Sequence, residues 1–236
     1  MQEYFLRKKI ELVMGIALLV AAYFLTRYGA NSIMSTSNNA TKKDGKITIV
    51  VDAGHGGEDP GKEGINGSLE KDINLSIALK LQKLLEAKDI NVVMTRTTGK
   101  GLNDENSNNK KIDDLKKRVE VMDNSNADLV VSVHQNSYPK EEINGPQVFY
   151  HEQSQKGKEI AEFMQKHLIE ELKPEWERES KPNESYYILK KTKIPIIIVE
   201  CGFLSNKREA DLLATDEYQD KVANAICSGL IKYFEL

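Results

Sequence analysis

The chain has 236 residues, of which 40% are hydrophobic, and this length suffices for one sizeable core but not for two. Its formal net charge of −3 argues against nucleic-acid binding, which normally requires a basic excess. No internal repeat is visible, which argues against a solenoid or a propeller. The two cysteines, Cys201 and Cys227, are too few for a zinc knuckle or a disulfide framework. We expect two buried thiols, with a disulfide between them as the alternative.

The N-terminus has the layout of an export signal. A basic cluster, Arg7–Lys9, precedes an apolar run, Leu12–Leu25, as in a signal peptide or a signal anchor. No clear small-residue cleavage site follows, which favours an uncleaved anchor, and the positive-inside rule then exports the rest of the chain. The next residues are small and polar, as in a flexible tether. The predicted organisation is a signal peptide or signal anchor over residues 1–29, a linker over 30–45 and a folded domain over 46–236.

From Lys46 onward, strand patterns alternate with helical patterns. Val/Ile-rich runs bounded by turn residues predict strands, and apolar residues at helical spacing predict amphipathic helices. In chain order the prediction is strand KITIVVDA, helix 71–88, strand INVVMT, helix 111–125, strand ADLVVSVH, short strand PQVFYH, helix 153–172, strand YYILK, buried strand IPIIIVE and two closing helices. This order predicts one α/β domain with a mainly parallel, twisted sheet and helices on both faces.

Three of the predicted strands end on residues that can carry chemistry. The first ends on His55, the third on His134, and the buried strand IPIIIVE on Glu200. Ligands of open parallel sheets bind beyond the carboxyl ends of the strands, so we expect these three side chains to converge there. The other two histidines, His151 and His167, are predicted to lie on the surface.

Two histidines alone make an incomplete zinc site. A catalytic zinc usually takes three protein ligands, and two histidines with one glutamate are a known set. Glu70 is the candidate third ligand, because a Gly-rich loop can fold back and bring this helix-start carboxylate to His55. Ser68 and its neighbours would supply the helix N-cap. On spacing alone, Glu58 and Glu63 compete with Glu70 for this role.

Several motifs resemble, in their order along the chain, those of zinc-dependent N-acetylmuramoyl-L-alanine amidases. The resemblance covers residues 46–235, and its motifs are specific in combination: DAGHGGEDPG, LEKDINL, TRTT, ADLVVSVHQNS and VECGFLSNKREADLL. It implies that 46–236 is a zinc amidase catalytic domain, which holds one Zn²⁺ and hydrolyses the amide between N-acetylmuramic acid and L-alanine in peptidoglycan.

The resemblance also implies roles for individual residues. The family's zinc ligands fall on His55, Glu70 and His134, which favours Glu70 over the two competing glutamates, and its catalytic glutamate falls on Glu200. Substrate-binding roles fall on Asn136, in SVHQNS where many members have SIHANA, and on Lys190, where many members have arginine. Lysine keeps the positive charge but loses the bidentate fork of arginine.

Within the family, the chain looks most like the germination-specific amidase of endospore formers. It shows no wall-binding repeats, and only SYPKEEIN separates HQN from the next strand, which leaves no room for an occluding helix. The resemblance then implies that the protein cleaves spore-cortex peptidoglycan in a step toward muramic-δ-lactam. The protein would be exported and held between the forespore membranes. Control would then come from timing, location or a partner such as a lipoprotein on the same membrane face. The alternatives are a vegetative wall-remodelling amidase, a zinc peptidase and a non-catalytic wall-binding module.

Overall fold

The computed structural model describes Met14 and residues 46–236. The predicted signal segment and linker otherwise lie outside the described residues. Among the residues that the structure describes, no helix combines the length and the apolar character needed to cross a membrane. The elements, in chain order, are β1 (Thr48–Ala53), α1 (Glu70–Glu86), β2 (Asn91–Met94), α2 (Lys110–Asn124), β3 (Leu129–Asn136), β4 (Gln147–Tyr150), α3 (Gln155–Leu172), β5 (Lys181–Pro182), α4 (Tyr187–Lys191), β6 (Ile196–Phe203), α5 (Lys207–Leu213) and α6 (Asp216–Phe234).

The strands form one six-stranded sheet in the order β2-β1-β3-β6-β4-β5. The pairs β1–β2, β1–β3, β3–β6 and β4–β5 are parallel, and β4 runs antiparallel to β6. The two central strands, β3 and β6, read LVVSVHQN and IIIVECGF and are buried along almost their whole length, as expected for strands covered on both faces.

Two apolar clusters cover the two faces of this sheet. The larger cluster packs α1, α3 and α6 against one face, and the smaller packs α2 and α4 against the other. Successive residues of a strand point to opposite faces, so Val51 belongs to the larger cluster and Val50 to the smaller one. Both cysteines are free and buried, as predicted. The predicted single α/β domain with a mainly parallel sheet and helices on both faces is confirmed.

The prediction of a strand at YYILK is wrong. Tyr187–Lys191 forms the short helix α4, and Ile188 and Leu189 are buried in the smaller apolar cluster. The edge of β6 is occupied by β4, and β5 pairs with β4, so YYILK has no position beside β6 in the sheet. The apolar residues of YYILK therefore cover a face of the sheet instead of extending it.

The prediction of a surface position for His167 is also wrong. Its side chain is buried between α3 and α6, where Nε2 lies 2.8 Å from the hydroxyl oxygen of Ser228. Burial lowers the pKa of His167. The helical pattern around His167 looks polar, but α6 packs against that side of α3 and supplies a hydrogen-bonding partner. His151 is half-buried.

Candidate active site

Two buried arginines hold the turn that follows β1 and carries His55. Arg118 of α2 donates hydrogen bonds to the carbonyl oxygens of Ala53, at 2.7 Å, and of His55. Arg96, which follows β2, donates to the carbonyl oxygens of Ala53, at 2.8 Å, and Gly54, at 3.0 Å. His55 has a φ of 61°, a conformation that non-glycine residues rarely adopt, so these bonds stabilise a backbone turn that its own sequence disfavours.

Asp52 neutralises part of the positive charge beneath this turn. Its carboxylate is fully buried, lies 2.6 Å from the Arg118 guanidinium and accepts hydrogen bonds from the hydroxyls of Thr95 and Ser132. Burial alone would raise the pKa of Asp52, but Arg118 and the two hydroxyls outweigh it and lower the pKa to about 2. This network connects β1, β2, α2 and β3 below the site, and the sequence analysis missed it.

The structure brings His55, Glu70 and His134 together. Oε1 of Glu70 lies 3.2 Å from Nε2 of His55 and 3.0 Å from Nδ1 of His134. One ligand atom from each residue lies within 4.8 Å of the others, and among the described residues this is the one such group that could hold a metal ion. The competing carboxylates are absent from it: Glu58 and Glu63 are exposed, and Glu58 pairs with Lys110.

The Gly-rich loop before α1 folds back, as predicted, and delivers Glu70. The Lys62 N–H donates to Oε2 of Glu70 at 2.8 Å, while the Glu70 N–H donates to the Lys62 carbonyl at 2.9 Å. At Gly61, with a φ of 71°, a Cβ would lie 2.5 Å from Oε2 of Glu70 and 2.8 Å from the His55 ring, so a side chain there would fill the site. Burial would raise the pKa of Glu70, but hydrogen bonds with the two histidines hold it far below its usual range.

The predicted Ser68 cap of this helix is wrong. The N-cap residue is Leu69, which has no side-chain cap, and the Ser68 hydroxyl donates to Asn66 instead. The reversed loop satisfies the start of α1 with backbone carbonyls, since Glu70 and Lys71 donate to Lys62 and Pro60.

His134 approaches the His55 turn as closely as van der Waals contact allows. A Cβ at Gly54 would lie 2.2 Å from Cε1 of the His134 ring, so only glycine fits there. The two histidine rings meet edge to face, with centroids 5.0 Å apart.

Asp59 is a site residue that the sequence analysis missed. Its Oδ2 lies 3.0 Å from Nδ1 of His55, and its Oδ1 accepts a hydrogen bond from the Gly61 N–H at 3.1 Å. This contact turns Nε2 of His55 toward Glu70. Burial lowers the pKa of His55, but the hydrogen bonds with Asp59 and Glu70 outweigh it and raise the pKa to about 9. A carboxylate four residues after a candidate histidine ligand was the available signal, because ligand histidines usually bond a carboxylate through their second nitrogen.

Glu200 lies beside this group on the neighbouring strand. Its Cα is the register partner of His134 across the β3–β6 pair, and 3% of the residue is exposed. Oε1 accepts a hydrogen bond from the Tyr186 hydroxyl at 3.0 Å, whereas Oε2 is buried and has no hydrogen-bond partner among the described residues. Burial, aided by the Glu70 charge, raises the pKa of Glu200 to about 7. This places an acid–base group next to the candidate metal site.

The two candidate substrate-binding residues lie in different settings. Asn136 ends β3, is half-buried, and uses its side-chain oxygen to accept the Ser137 N–H at 2.8 Å. Lys190 is exposed in the last turn of α4. Residues 137–146 contain no helix, which confirms that none is inserted after the His134 strand.

These features define a class of protein: an α/β enzyme with a candidate metal site and an acid–base glutamate at the carboxyl edge of its sheet. A family model described as N-acetylmuramoyl-L-alanine amidase matches residues 49–232. The chain therefore belongs to the N-acetylmuramoyl-L-alanine amidase family and is an enzyme that hydrolyses a carbon–nitrogen amide bond.

Similar proteins agree with this assignment. The germination-specific N-acetylmuramoyl-L-alanine amidase of Bacillus subtilis is 33% identical over 97% of this chain and 97% of its own. The CwlD amidase from Clostridioides difficile, solved in complex with the GerS lipoprotein, is 41% identical, with a TM-score of 0.77 over 80% of this chain and 99% of that chain. An N-acetylmuramoyl-L-alanine amidase from Clostridium difficile 630 is 32% identical, with a TM-score of 0.72 over 80% of this chain and 97% of that chain.

Proposed function

We propose that the protein uses one zinc ion, held by His55, Glu70 and His134, to hydrolyse the amide between N-acetylmuramic acid and L-alanine in spore-cortex peptidoglycan. The observation that carries the proposal is the convergence of the three ligand atoms within 4.8 Å, next to a buried glutamate with one unpartnered oxygen. Amide hydrolysis requires an activated nucleophile and a proton for the leaving amine. The metal site would activate the nucleophile, and Glu200 would transfer the proton.

The donor set fits zinc. Two imidazole nitrogens and one carboxylate oxygen are a known ligand set of catalytic zinc, which keeps a further position open for water. Asp59 orients the His55 ring through its second nitrogen, as carboxylates do in zinc sites. When bound, zinc lowers the pKa of a water molecule to about 7 and polarises the scissile carbonyl.

Glu200 is the proposed general base and acid. Oε2 is the oxygen free to accept the proton of the attacking water and to return it to the departing nitrogen. A pKa of about 7 suits both transfers near neutral pH, because the carboxylate accepts a proton readily and still releases it. Asn136 and Lys190 are proposed substrate contacts, with Lys190 facing anionic groups of the substrate through its charge alone.

The spore role rests on the similar proteins. The Bacillus subtilis relative is germination-specific and aligns over almost all of this chain. We therefore propose that the protein processes spore cortex and that its cleavage is a step toward muramic-δ-lactam. Residues 1–29 would direct export as a signal peptide or membrane anchor, 30–45 would act as a tether, and 46–236 would work between the forespore membranes. The Clostridioides difficile relative binds the GerS lipoprotein, which supports an accessory lipoprotein as a partner of this chain too.

The test uses a fragment that starts near Lys42, since Lys46–Leu236 forms a compact unit. It is incubated with purified cortex and with vegetative peptidoglycan, with and without a chelator, and the products are analysed by mass spectrometry. We expect free stem peptides that begin with L-alanine, lost with chelator, restored by zinc and favoured on cortex. Equal cleavage of both walls would contradict the spore role, and cleavage between amino acids would contradict the bond assignment.

A further inference from the structure

Tyr186 is the residue that contacts the proposed base most directly. Its hydroxyl donates a hydrogen bond to Oε1 of Glu200 at 3.0 Å, and Tyr186 is only half-buried while Glu200 is buried. The two oxygens of this carboxylate are therefore in different environments, because Oε2 has no hydrogen-bond partner among the described residues.

The backbone of Tyr186 is fixed by its neighbours. The Asn183 side-chain oxygen accepts the N–H groups of Ser185, at 2.7 Å, and Tyr186, at 3.1 Å, and the Asn183 N–H donates to the Tyr150 carbonyl at 2.8 Å. The tight turn before α4 is thus attached to the end of β4. The Tyr186 ring packs edge to face on Phe149 of the same strand, with centroids 5.8 Å apart. The hydroxyl is consequently presented to Glu200 by a rigid support.

We propose that Tyr186 is a positioning residue for Glu200: its hydroxyl holds Oε1 and thereby turns Oε2 toward the reacting atoms. The inference rests on the proposed role of Glu200 as general base. A carboxylate at the end of a flexible side chain can rotate about its last bond, and a donor on one oxygen selects one orientation. Burial and the Glu200 charge raise the pKa of the phenol well above its ordinary value, so Tyr186 keeps its proton and stays a donor near neutral pH.

The test compares Tyr186→Phe with Tyr187→Phe in the zinc-loaded full chain. Tyr187 is the neighbouring half-buried tyrosine, and within residues 46–236 it makes no hydrogen bond with Glu200. For Tyr186→Phe we expect kcat to fall roughly tenfold, the scale of one hydrogen bond to a charged group, with KM and zinc content unchanged. Tyr187→Phe should match the wild type. A Tyr186→Phe variant with wild-type kcat, or with a changed KM alone, overturns the proposal.

A double-mutant cycle separates positioning from a structural effect. Glu200→Asp shortens the carboxylate by one methylene, which removes it from hydrogen-bonding reach of the Tyr186 hydroxyl. If Tyr186 acts through Glu200, Tyr186→Phe costs less than about twofold in the Glu200→Asp background. A full tenfold loss in that background shows that Tyr186 acts elsewhere and contradicts the proposal. Failure of the proposed function looks different: Glu200→Gln would then keep wild-type turnover.

Discussion

Glu70 and Glu200 are buried side chains of the same type at the same edge of the sheet, yet their surroundings separate them chemically. Glu70 lies on the side of the two histidines, whose hydrogen bonds lower its pKa far below the usual range. Glu200 lies on the side of β6 and α4, where burial dominates and raises its pKa to about 7. Two carboxylates with separated pKa values suit two tasks, a permanently ionised ligand and an exchangeable acid–base group.

The two sides are also supported in different ways. The histidine side rests on a network of buried charges, in which Arg96 and Arg118 hold the His55 turn and Asp52 balances them. The Glu200 side rests on a strand of β-branched residues and on one hydroxyl, that of Tyr186. Burial acts on both carboxylates, but the two histidines outweigh it at Glu70 and keep that ligand ionised, whereas burial prevails at Glu200 and leaves it able to take up a proton.

Exchanging each carboxylate for its amide gives the largest contrast. Glu200→Gln should bind zinc like the wild type and lose turnover by roughly 10²–10⁴-fold, the usual share of general acid–base catalysis. Glu70→Gln should lose zinc and turnover together, because an amide replaces the charged ligand. Zinc content by atomic absorption and release of stem peptides check both variants. Normal turnover in Glu200→Gln would contradict the assignment of the base, and full zinc in Glu70→Gln that of the ligand.

The charge network below His55 should respond in stability. Asp52→Asn removes one of the two carboxylates that pair with the buried Arg118, and Asp114 keeps its own pair at 2.6 Å, so we expect the free energy of unfolding to fall by about 1–3 kcal/mol. The pKa of Asp52 is lowered to about 2 in the folded state, from an ordinary value near 3.8, so ionised Asp52 stabilises the fold above pH 4 and loses this effect as pH falls through 2. Urea unfolding at neutral pH and near pH 3 should therefore show a smaller difference between variant and wild type in acid.

The control for this network is Asp211→Asn. Asp211 pairs with Lys207 on the exposed surface of α5, so its loss should change the free energy of unfolding little at either pH. A difference between Asp52→Asn and wild type that is equally large at both pH values would show that the stabilisation does not depend on ionised Asp52.

Asp59 offers a test of how the histidine side supports the metal site. Asp59→Asn should weaken zinc binding by about 10–100-fold, the usual cost of losing a carboxylate behind a ligand histidine, while the fold is kept. Glu58→Gln is the matched control, because Glu58 is exposed and pairs with Lys110 outside the site. Competition with a chromogenic chelator measures both affinities. Equal zinc affinities in Asp59→Asn and Glu58→Gln would show that Asp59 does not support zinc binding.

The sequence was sufficient for most of the sheet, though not for β5, and for three of the residues at its carboxyl edge. Strand ends are visible as apolar runs that stop on a polar residue, which is how His55, His134 and Glu200 were found and why their convergence could be predicted. Glu70 needed the family resemblance, since Glu58 and Glu63 fit equally well by spacing. Asp59 and Tyr186 were missed because each depends on a turn geometry, one with positive φ at Gly61 and one centred on Asn183.

Long-range packing explains the errors. YYILK has the composition of a strand, but whether it joins the sheet depends on β4, which lies almost 40 residues earlier and already pairs with β6. His167 reads as a polar helix residue until α6 covers it. Arg96 and Arg118 look like surface charges in sequence, and only the fold shows that they turn inward to three consecutive carbonyl groups.

The smallest expected effect concerns recognition on the Glu200 side. Lys190 is exposed on α4, the helix that directly follows Tyr186, and a single exposed charge pair changes affinity about two- to fivefold. If Lys190 contacts anionic groups of the substrate, Lys190→Arg should lower KM by this factor, Lys190→Ala should raise it, and kcat should stay constant. Lys191→Ala, one position along the same exposed helix end, is the control and should leave KM unchanged. Equal KM values for Lys190→Ala and Lys191→Ala would show that Lys190 does not contribute to substrate binding. The Glu200 side would then serve proton transfer alone.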